Sequence, residues 1–285
     1  MVRWEKGSLV PSAGQGPGWR RVPTLARVTS TSEHLRQALT SDPAGPRLTY
    51  YDDRTGERVE LSTTTLANWV AKTINLLILE CGVGPGATIS LHLPRHWTTA
   101  VWVLAADAVG AEVHLGAVVQ RTVGAGSGAG ASHGRVDVAV IGPELVGQPP
   151  DADEVFAVSL APLAAPFKTS LPPLVRDFTV DVRLMPDQVA GPVGPAGELG
   201  AAAEARAGAL DIVATDRVAA LGSLNGISDV VDQWLAPLAA GASVVWVGNP
   251  KAEHCVSRWV SERVTAVAGT LPEGVAPPDS IRILA

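Results

Sequence analysis

The chain has 285 residues, 46% of them hydrophobic, which is enough apolar material for one large domain or two modest ones without disulfide staples. The formal net charge is −6 and no Lys/Arg-rich run occurs, which argues against nucleic-acid binding through the phosphate backbone. No stretch reaches the roughly 18 apolar residues of a membrane span, and residues 1–21 lack the apolar core of a secretory signal.

The chain contains two cysteines, Cys81 and Cys255, and they do not form a pair at metal-binding spacing. We therefore expect neither a disulfide framework nor a thiolate zinc site. A reducing compartment suits this usage, so we expect the protein in the cytoplasm, with no nucleic-acid and no membrane partner.

Composition divides the chain into four parts. A tail that contains the run SAGQGPG is expected to be flexible, because it has too little apolar periodicity to offset the entropy of ordering. The parts in order are a tail (1–22), a first α/β unit (23–160), a Pro/Gly/Ala-rich connecting segment (161–210) and a second α/β unit (211–285). In the first unit, Val22 to Leu39 predicts a short helix that is capped near Thr31 or Ser32.

A hairpin and a helix follow. Alternating residues at Leu48–Tyr51 and Arg58–Leu61, separated by Asp52 to Gly56, favour two paired strands. The next segment predicts a helix that Gly82 ends in the left-handed conformation. Its apolar stripe, at offsets of three and four, consists of Leu66, Trp69, Val70, Thr73, Ile74 and Leu77.

A parallel crossover unit is predicted next. The alternating strand Thr88–Leu93 ends at Pro94, the segment Trp97–Val109 is helical and closed by Gly110, and Ala111–Leu115 is again a strand. A strand, a helix and a strand in this order form a right-handed crossover with a parallel pair.

The middle of the chain alternates strands with loop composition. The run VGAGSGAGASHG from Val123 predicts a mobile surface loop, and strands are predicted at Val136–Ile141 and Val155–Leu160. Repeated prolines in residues 161–197 forbid a continuous helix or a central strand. Within this segment we predict short strands at Phe178–Leu184.

The last third predicts a second α/β unit. Its elements are a helix Glu198–Ala209, a strand Arg217–Leu221, a helix Ser228–Ala239, a strand Ala242–Val247, a helix Glu253–Arg263 and a strand Val264–Ala268. The stretches Leu104–Gly116 and Leu235–Gly248 look alike, because each reads as a helix end, a glycine and a strand.

These pieces resemble the opening of the AMP-binding, adenylate-forming enzymes, such as acyl-CoA synthetases. The resemblance rests on the TYY element at Thr49, the helix and turn that end in GVGPG, the LP at Leu93 and the GAEVHL run from Gly110. Asp216-Arg217 and the LAPLAAGASVVW run resemble the second subdomain of the same enzymes. The resemblance implies an α/β fold of two parallel-sheet units, like the large N-terminal domain of those enzymes but truncated.

The phosphate loop of that family is missing. The resemblance places a Ser/Thr/Gly-rich loop ending in Lys between Val155–Leu160 and Asp216, where it would aim N–H groups and a Lys at ATP phosphates. The nearest candidates are APFKTS (Ala165–Ser170), which lacks the glycines, and AGPVGPAGE (Ala190–Glu198), which lacks the hydroxyls and the Lys. Lys168 is therefore interpreted as an exposed lysine.

We interpret the chain as a degenerate, non-catalytic relative that binds a ligand or a partner, with no catalytic residue assigned. The alternative is an adenylate-forming ligase that uses an unconventional phosphate loop or a partner chain, and only then would ATP or AMP and Mg²⁺ be its cofactors. The partner is expected to be a protein or a small carboxylate or nucleotide. If a pocket exists, the resemblance places it at Asn225 and Gly226, where the enzymes carry an acyl-pocket residue.

Two glycine-rich patterns are interpreted as loop composition. Gly130 to Gly134 fits the G-x-S-x-G elbow of a hydrolase, but an elbow needs a strand before Ser132 and a helix after it, and the sequence predicts the reverse. An unrelated enzyme that uses Ser132 stays a third alternative. Gly126 to Ala131 fits a loose dinucleotide fingerprint, without a helix starting there.

The histidines and paired acids also have simple structural explanations. Pro94 separates His92 from His96, so we expect one at a strand end and the other at a helix start rather than a shared metal. His114 is expected to be satisfied by a partner beside Glu112. Asp229 and Asp232 are acidic residues at a helix start, where the helix dipole favours them.

Overall fold

The computed structural model describes residues 30–116, 136–190 and 197–284. The helices are α1 (Thr31–Ser41), α2 (Thr63–Asn75), α3 (Trp97–Ala108), α4 (Phe178–Arg183), α5 (Leu199–Ala209), α6 (Ile227–Val230), α7 (Ala236–Ala239) and α8 (Ala252–Ser261). The strands are β1 (Pro46–Asp52), β2 (Glu57–Ser62), β3 (Thr88–His92), β4 (Glu112–Leu115), β5 (Val136–Ile141), β6 (Ala152–Ala157), β7 (Val175–Asp177), β8 (Arg217–Leu221), β9 (Ser243–Gly248), β10 (Ala266–Gly269) and β11 (Arg282–Leu284). Within these ranges, no helix is long and apolar enough to cross a membrane.

The strands form two sheets. The five-stranded sheet has the order β4-β3-β5-β6-β7 and is parallel throughout. The six-stranded sheet has the order β11-β10-β8-β9-β1-β2, and only its β1-β2 hairpin is antiparallel. This confirms the α/β class with two parallel-sheet units. The hairpin lies far from β8 to β11 in the sequence, yet it extends their sheet rather than that of β3 to β7.

Alternation along the strands explains the layers. In β9, Val244 and Trp246 face a central layer of helices, whereas Val245 and Val247 face the other side, where α8 covers them with Trp259. The β5 strand alternates in the same way. Because both faces of each sheet are covered, the strands read as continuous apolar runs rather than as a polar and apolar alternation.

Helix α3 lies at the centre of the molecule. Every one of its residues from Trp97 to Ala108 is buried, and the ring centroid of Trp102 lies 4.8 Å from that of Phe178 and 5.8 Å from that of Phe156. Burial of one such large side chain stabilises the fold by roughly 1.5–3 kcal/mol. The crossover β3-α3-β4 is parallel, as the sequence predicts.

Two π-helical turns interrupt otherwise regular helices. One extends α2 over Leu76–Glu80, and the other joins α6 to α7 over Val231–Leu235. Pro237 explains the second turn, because it has no N–H to donate to the carbonyl of Gln233 in an α-helix. That carbonyl instead accepts a hydrogen bond from Trp246 Nε1 at 3.1 Å.

The two similar stretches form the same helix ending. Gly110 and Gly241 both have a positive φ, of 73° and 79°. In each case the next residue donates its N–H to the carbonyl five residues back, Ala111 to Ala106 at 3.0 Å and Ala242 to Pro237 at 2.8 Å. This hydrogen-bond pattern is the Schellman ending, so the sequence likeness is confirmed as a repeated unit.

The prediction of short strands at Phe178–Leu184 was wrong, because this segment is helix α4. Asp177 caps the helix by accepting the N–H of Thr179 at 2.9 Å, and Phe178 and Val182 are buried one turn apart. The β-prone composition of FTVDV favoured a strand, but the Asp cap and the four-residue spacing of the buried side chains determine a helix.

Candidate ligand-binding cleft

A cleft of about 600 Å³ opens where strands of both sheets end. Parallel sheets place ligand sites outside the carboxyl ends of their strands, because the connecting loops diverge there. The lining residues lie at the ends of five strands and are Asp52, Arg54 and Thr55 at β1, Leu93–His96 after β3, Gly222–Leu224 after β8, Asn249–Pro250 after β9 and Thr270–Pro272 after β10. Tyr50, Gly248 and Leu160 complete the lining.

Arg95 is the buried cation of this cleft, with only 5% of its surface exposed. Its Nη2 donates to Gly222 O at 2.9 Å, to Leu221 O at 3.2 Å and to Gln233 Oε1. Its guanidinium carbon also lies 5.3 Å from the ring centroid of Trp246. Burial lowers the pKa of Arg95 to about 10, so the group remains cationic at neutral pH.

The π-turn over Val231–Leu235 positions this arrangement. Gln233 lies within the turn, where its side chain reaches Arg95 and its carbonyl receives the indole N–H of Trp246. Trp246 thus contacts both Gln233 and Arg95. A local departure from α-helical geometry, of the kind often found at functional sites, therefore fixes the guanidinium from two sides.

His96 stands beside Arg95 and is the N-cap of α3. Its Nδ1 accepts the N–H of Thr98 at 3.3 Å, which assigns the ring proton to Nε2. Burial lowers the pKa of His96 to about 3, so the ring is neutral. Its centroid lies 4.8 Å from that of Tyr50 in an edge-to-face contact, and burial raises the pKa of that phenol.

Close backbone approach at the cleft requires glycine. A Cβ on Gly248 would lie 2.9 Å from Tyr50 Oη, and one on Gly269 would lie 2.1 Å from the carbonyl oxygen of Leu221. Gly222 and Gly269 also have positive φ values of 86° and 83°. Small residues thus let β8 and β10 end next to each other at the mouth of the cleft.

Helix α5, which precedes the Asp216-Arg217 strand, has its N-terminus capped by an internal carboxylate. Asp107, buried in α3, accepts the N–H of Leu199 at 3.2 Å and the hydroxyl of Thr31 at 2.5 Å. Gly197 approaches so closely that a Cβ there would lie 2.4 Å from Asp107 Oδ1. Burial raises the pKa of Asp107, and the hydrogen bonds from Thr31 and Leu199 oppose this shift.

The segment before α5 is attached to α2. Asn75 donates to Pro186 O at 2.9 Å and to Gln188 O at 2.8 Å, and it accepts the N–H of Ala190 at 2.9 Å. Lys72 pairs with Asp187 at 2.9 Å. This lysine is therefore engaged in an ion pair.

The residues that the sequence proposed for a pocket lie just outside the cleft lining. Gly222 to Leu224 line the cleft, whereas Asn225 follows them and donates its N–H to Asp229 Oδ2 at 2.7 Å. Gly226 is the N-cap of α6. Their role in a pocket stays a prediction.

The other candidates have structural roles or lie elsewhere. His92 ends β3, His114 pairs with Glu112 at 3.1 Å, and Lys168 is exposed, as the sequence predicts. Asp232 pairs with Arg206 at 2.6 Å. Ser132, His133 and the Gly126–Ala131 pattern lie outside the described residues, as does most of AGPVGPAGE. In the described ranges, no three His, Cys, Asp or Glu side chains are grouped as a metal site.

Sequence reasoning missed Arg95 and Asp107. Each had a local signal, because Arg95 is a cation directly after a buried strand and Asp107 is an acid inside the apolar run WVLAADAVGA. A charge in such a position requires a specific partner or a function. The tertiary partners, Gln233 and Leu199, are far away in the sequence and give no local signal.

The fold is that of adenylate-forming ligases. An anthranilate CoA ligase, AuaEII, solved in complex with anthranoyl-AMP, superimposes with a TM-score of 0.65 at 14% identity, covering 86% of this chain and 50% of its own. The acetoacetyl-CoA synthetase of Streptomyces lividans superimposes with a TM-score of 0.60 at 20% identity, and the match covers 84% of this chain and 42% of the synthetase. An acyl-CoA synthetase of Brucella canis superimposes with a TM-score of 0.64 at 16% identity, and the match covers 84% of this chain and 47% of the synthetase. The chain therefore spans half or less of the length of these ligases.

A much closer relative exists in Mycobacterium tuberculosis (strain ATCC 25618 / H37Rv), where it is described as a TIGR03089 family protein. The two chains are 39% identical over 241 residues, which cover 82% of this chain and 95% of the relative. No family model matches the chain. The identity and the nearly complete coverage of the relative show that this chain belongs to the TIGR03089 family, on the fold of the adenylate-forming ligases.

Proposed function

We propose that this chain is a non-catalytic ligand-binding protein that uses the adenylate-forming fold without activating a carboxylate by itself. The observation that carries the proposal is the cleft at the carboxyl ends of the strands, together with the lack of a free lysine in the described part of the segment between Leu160 and Asp216 that could reach it. The candidate ligands are small carboxylates or nucleotides. A protein partner that binds at the same surface instead of a small ligand is the other form of this proposal.

The N-terminus of α5 is a second position to consider, because a helix N-terminus readily binds phosphate. At α5 the N–H of Leu199 is already used by Asp107 Oδ1, and the N–H of Gly197 by the main-chain oxygen of Asp107. A phosphate at this position would meet a carboxylate of like charge. The sequence between Leu160 and Asp216 offers one lysine, Lys168, and it is exposed.

The alternative function is an adenylate-forming ligase whose missing parts come from a partner chain. Its support is the length comparison, since the ligases that share the fold are about twice as long. Release of pyrophosphate from ATP in the presence of a carboxylate separates the two functions, and only the ligase produces it.

Calorimetry on the purified protein tests the ligand-binding proposal. The titrants are ATP, AMP, an acyl-adenylate analogue and simple carboxylates, each with and without Mg²⁺. We expect binding of a carboxylate or adenylate at micromolar strength, about −8 kcal/mol, without a requirement for Mg²⁺. Absence of heat from every titrant at millimolar concentration would contradict ligand binding and would favour a protein partner.

We propose that the protein is cytoplasmic, which its two free thiols, Cys81 and Cys255, support.

A further inference from the structure

We infer that Arg95 sets the charge of the ligand in the cleft, which is a small organic monoanion, and that Gln233 is the positioning residue that presents Arg95. This inference rests on the proposed function, since it concerns the same cleft. The recognition then depends on the connection between β3 and α3 and on the π-turn rather than on the loop at Asn225.

In the described residues, no carboxylate neutralises the charge of Arg95. Its hydrogen-bond acceptors are two carbonyl groups and the side-chain amide of Gln233, all of them uncharged. Throughout the described ranges, no carboxylate forms an ion pair with it, and Asp229 acts on it only from a distance. Buried charges in proteins are normally paired.

Three other guanidinium groups with little exposure have a compensating charge or dipole. Arg258 pairs with Asp53, and Arg217 pairs with Glu262. Arg47 binds the carbonyls of Gly241 at 2.6 Å and Ala242 at 2.9 Å, directly after α7, where the negative end of the helix dipole favours a cation. Arg95 binds the end of a strand, which has only a small dipole.

The second step is a pair of donors without acceptors. Arg95 Nη1 and His96 Nε2 are both buried and have no hydrogen-bond partner among the described residues. The two residues that carry these atoms are adjacent in the sequence, and both line the cleft. Both atoms are covered in this structure, so direct contact with a ligand requires a side-chain movement, whereas the charge of Arg95 acts across the cleft wall without one.

The third step is the charge balance of the lining. The charged lining residues are Arg54, Arg95 and Asp52, so two cations and one anion leave a single net positive charge. The neutral His96 adds a donor but no charge. One anionic group, such as a carboxylate, balances this charge. A multiply charged phosphate exceeds the charge that the lining supplies.

The matched pair benzoate and benzamide tests the inference on the unaltered protein, with hexanoate and hexanamide as a second pair and AMP as the phosphate probe. The members of each pair differ in charge and hardly in shape. We expect each carboxylate to bind at least about tenfold more tightly than its amide, and AMP more weakly than the carboxylates. Equal affinity for carboxylate and amide would overturn the inference while the ligand-binding proposal stands. No binding of any probe would overturn both.

The variant Gln233→Glu provides the sharpest test, because it keeps the shape and the acceptor of Gln233 and gives Arg95 an internal counter-anion. We expect a protein at least as stable as the original whose carboxylate affinity falls about tenfold or more, with amide affinity unchanged. Arg95→Lys should keep part of the preference, and Arg36→Gln, at an exposed ion pair with Glu33, should change nothing. A folded Gln233→Glu protein with undiminished carboxylate affinity would overturn the inference.

Discussion

At the scale of single residues, charged groups that satisfy one another lie between α8 and the β1-β2 hairpin. Asp53 accepts hydrogen bonds from Arg258, His254 and the N–H of Lys251. The ring centroid of Tyr51 lies 4.4 Å from the guanidinium carbon of Arg258 and 5.5 Å from that of Arg58. These contacts attach α8 to the β1-β2 hairpin. They explain how a hairpin from early in the chain is held in a sheet made of late strands.

Removal of one charged partner from this cluster should lower the stability of the fold. In Arg258→Gln the carboxylate of Asp53, whose side chain is 3% exposed, loses its cation. We expect the free energy of unfolding to fall by about 3 kcal/mol, measured by urea denaturation. Arg36→Gln is the control, since its exposed ion pair should contribute less than about 1 kcal/mol. Equal losses in the two variants would contradict a structural role for the cluster.

Three carboxyl groups, Asp53, Asp216 and Glu262, determine how stability depends on pH. Burial alone would raise the pKa of Glu262, Asp53 and Asp216, but hydrogen bonds, notably from Tyr51 to Glu262 and from Arg258 to Asp53, outweigh it and lower all three pKa values. A lowered folded pKa gives stability that is complete above the ordinary carboxyl values of 4.5 and 3.8 and is lost as pH falls through the folded pKa.

We therefore expect the free energy of unfolding to decrease between about pH 5 and pH 2. Glu262→Gln should lower the stability at neutral pH and reduce the slope in the acid range. Denaturation curves at several pH values test this expectation. A variant with an unchanged acid slope would contradict the assignment of this dependence to Glu262.

At the scale of elements, the position of α5 depends on Asp107. In Asp107→Ala the N–H of Leu199 and the hydroxyl of Thr31 lose their acceptor. We expect a loss of about 2 kcal/mol of stability and faster amide exchange in the first turn of α5. Asp232→Ala, which removes the half-exposed pair with Arg206, is the control and should leave that turn protected. Unchanged exchange in Asp107→Ala would contradict the cap.

The junction of β8 and β10 gives a second prediction at this scale. Gly269→Ala places a Cβ 2.1 Å from the carbonyl oxygen of Leu221 at a φ of +83°, so we expect a loss of about 3 kcal/mol or more. Gly274→Ala is the matched control, because its φ is +74° and nothing lies within 4 Å of the new atom. That variant should lose about 1 kcal/mol. Similar melting temperatures for the two variants would contradict the proposed close packing.

Most elements were predictable because their signals are local. The stripe from Leu66 to Leu77 and the left-handed Gly82, with φ +63°, appear in the structure as the sequence predicts. Helix α4 was missed because the strand propensity of FTVDV hid the cap at Asp177. The pairing of β1 with β9 and the contact of Arg95 with Gln233 join residues more than 100 positions apart, and no local pattern encodes them.

At the scale of the whole molecule, the chain has two sheets around a central helical layer and a cleft at the ends of their strands. This architecture is shared with ligases of about twice the length, whereas the relative of 39% identity is matched over 95% of its length. The fold therefore positions a cleft without specifying its chemistry. We infer its chemistry from particular residues, above all the unpaired charge of Arg95.

Release of pyrophosphate by the purified chain with ATP, Mg²⁺ and a panel of small carboxylates tests directly whether the chain is non-catalytic. We expect no release above the protein-free background, while the carboxylates that bind in calorimetry do so with or without ATP. A ligase with the same fold, assayed in parallel, shows that the assay works. Release that requires both ATP and a carboxylate, and that is lost in Arg95→Gln, would establish the chain as an adenylate-forming enzyme rather than a non-catalytic binding protein.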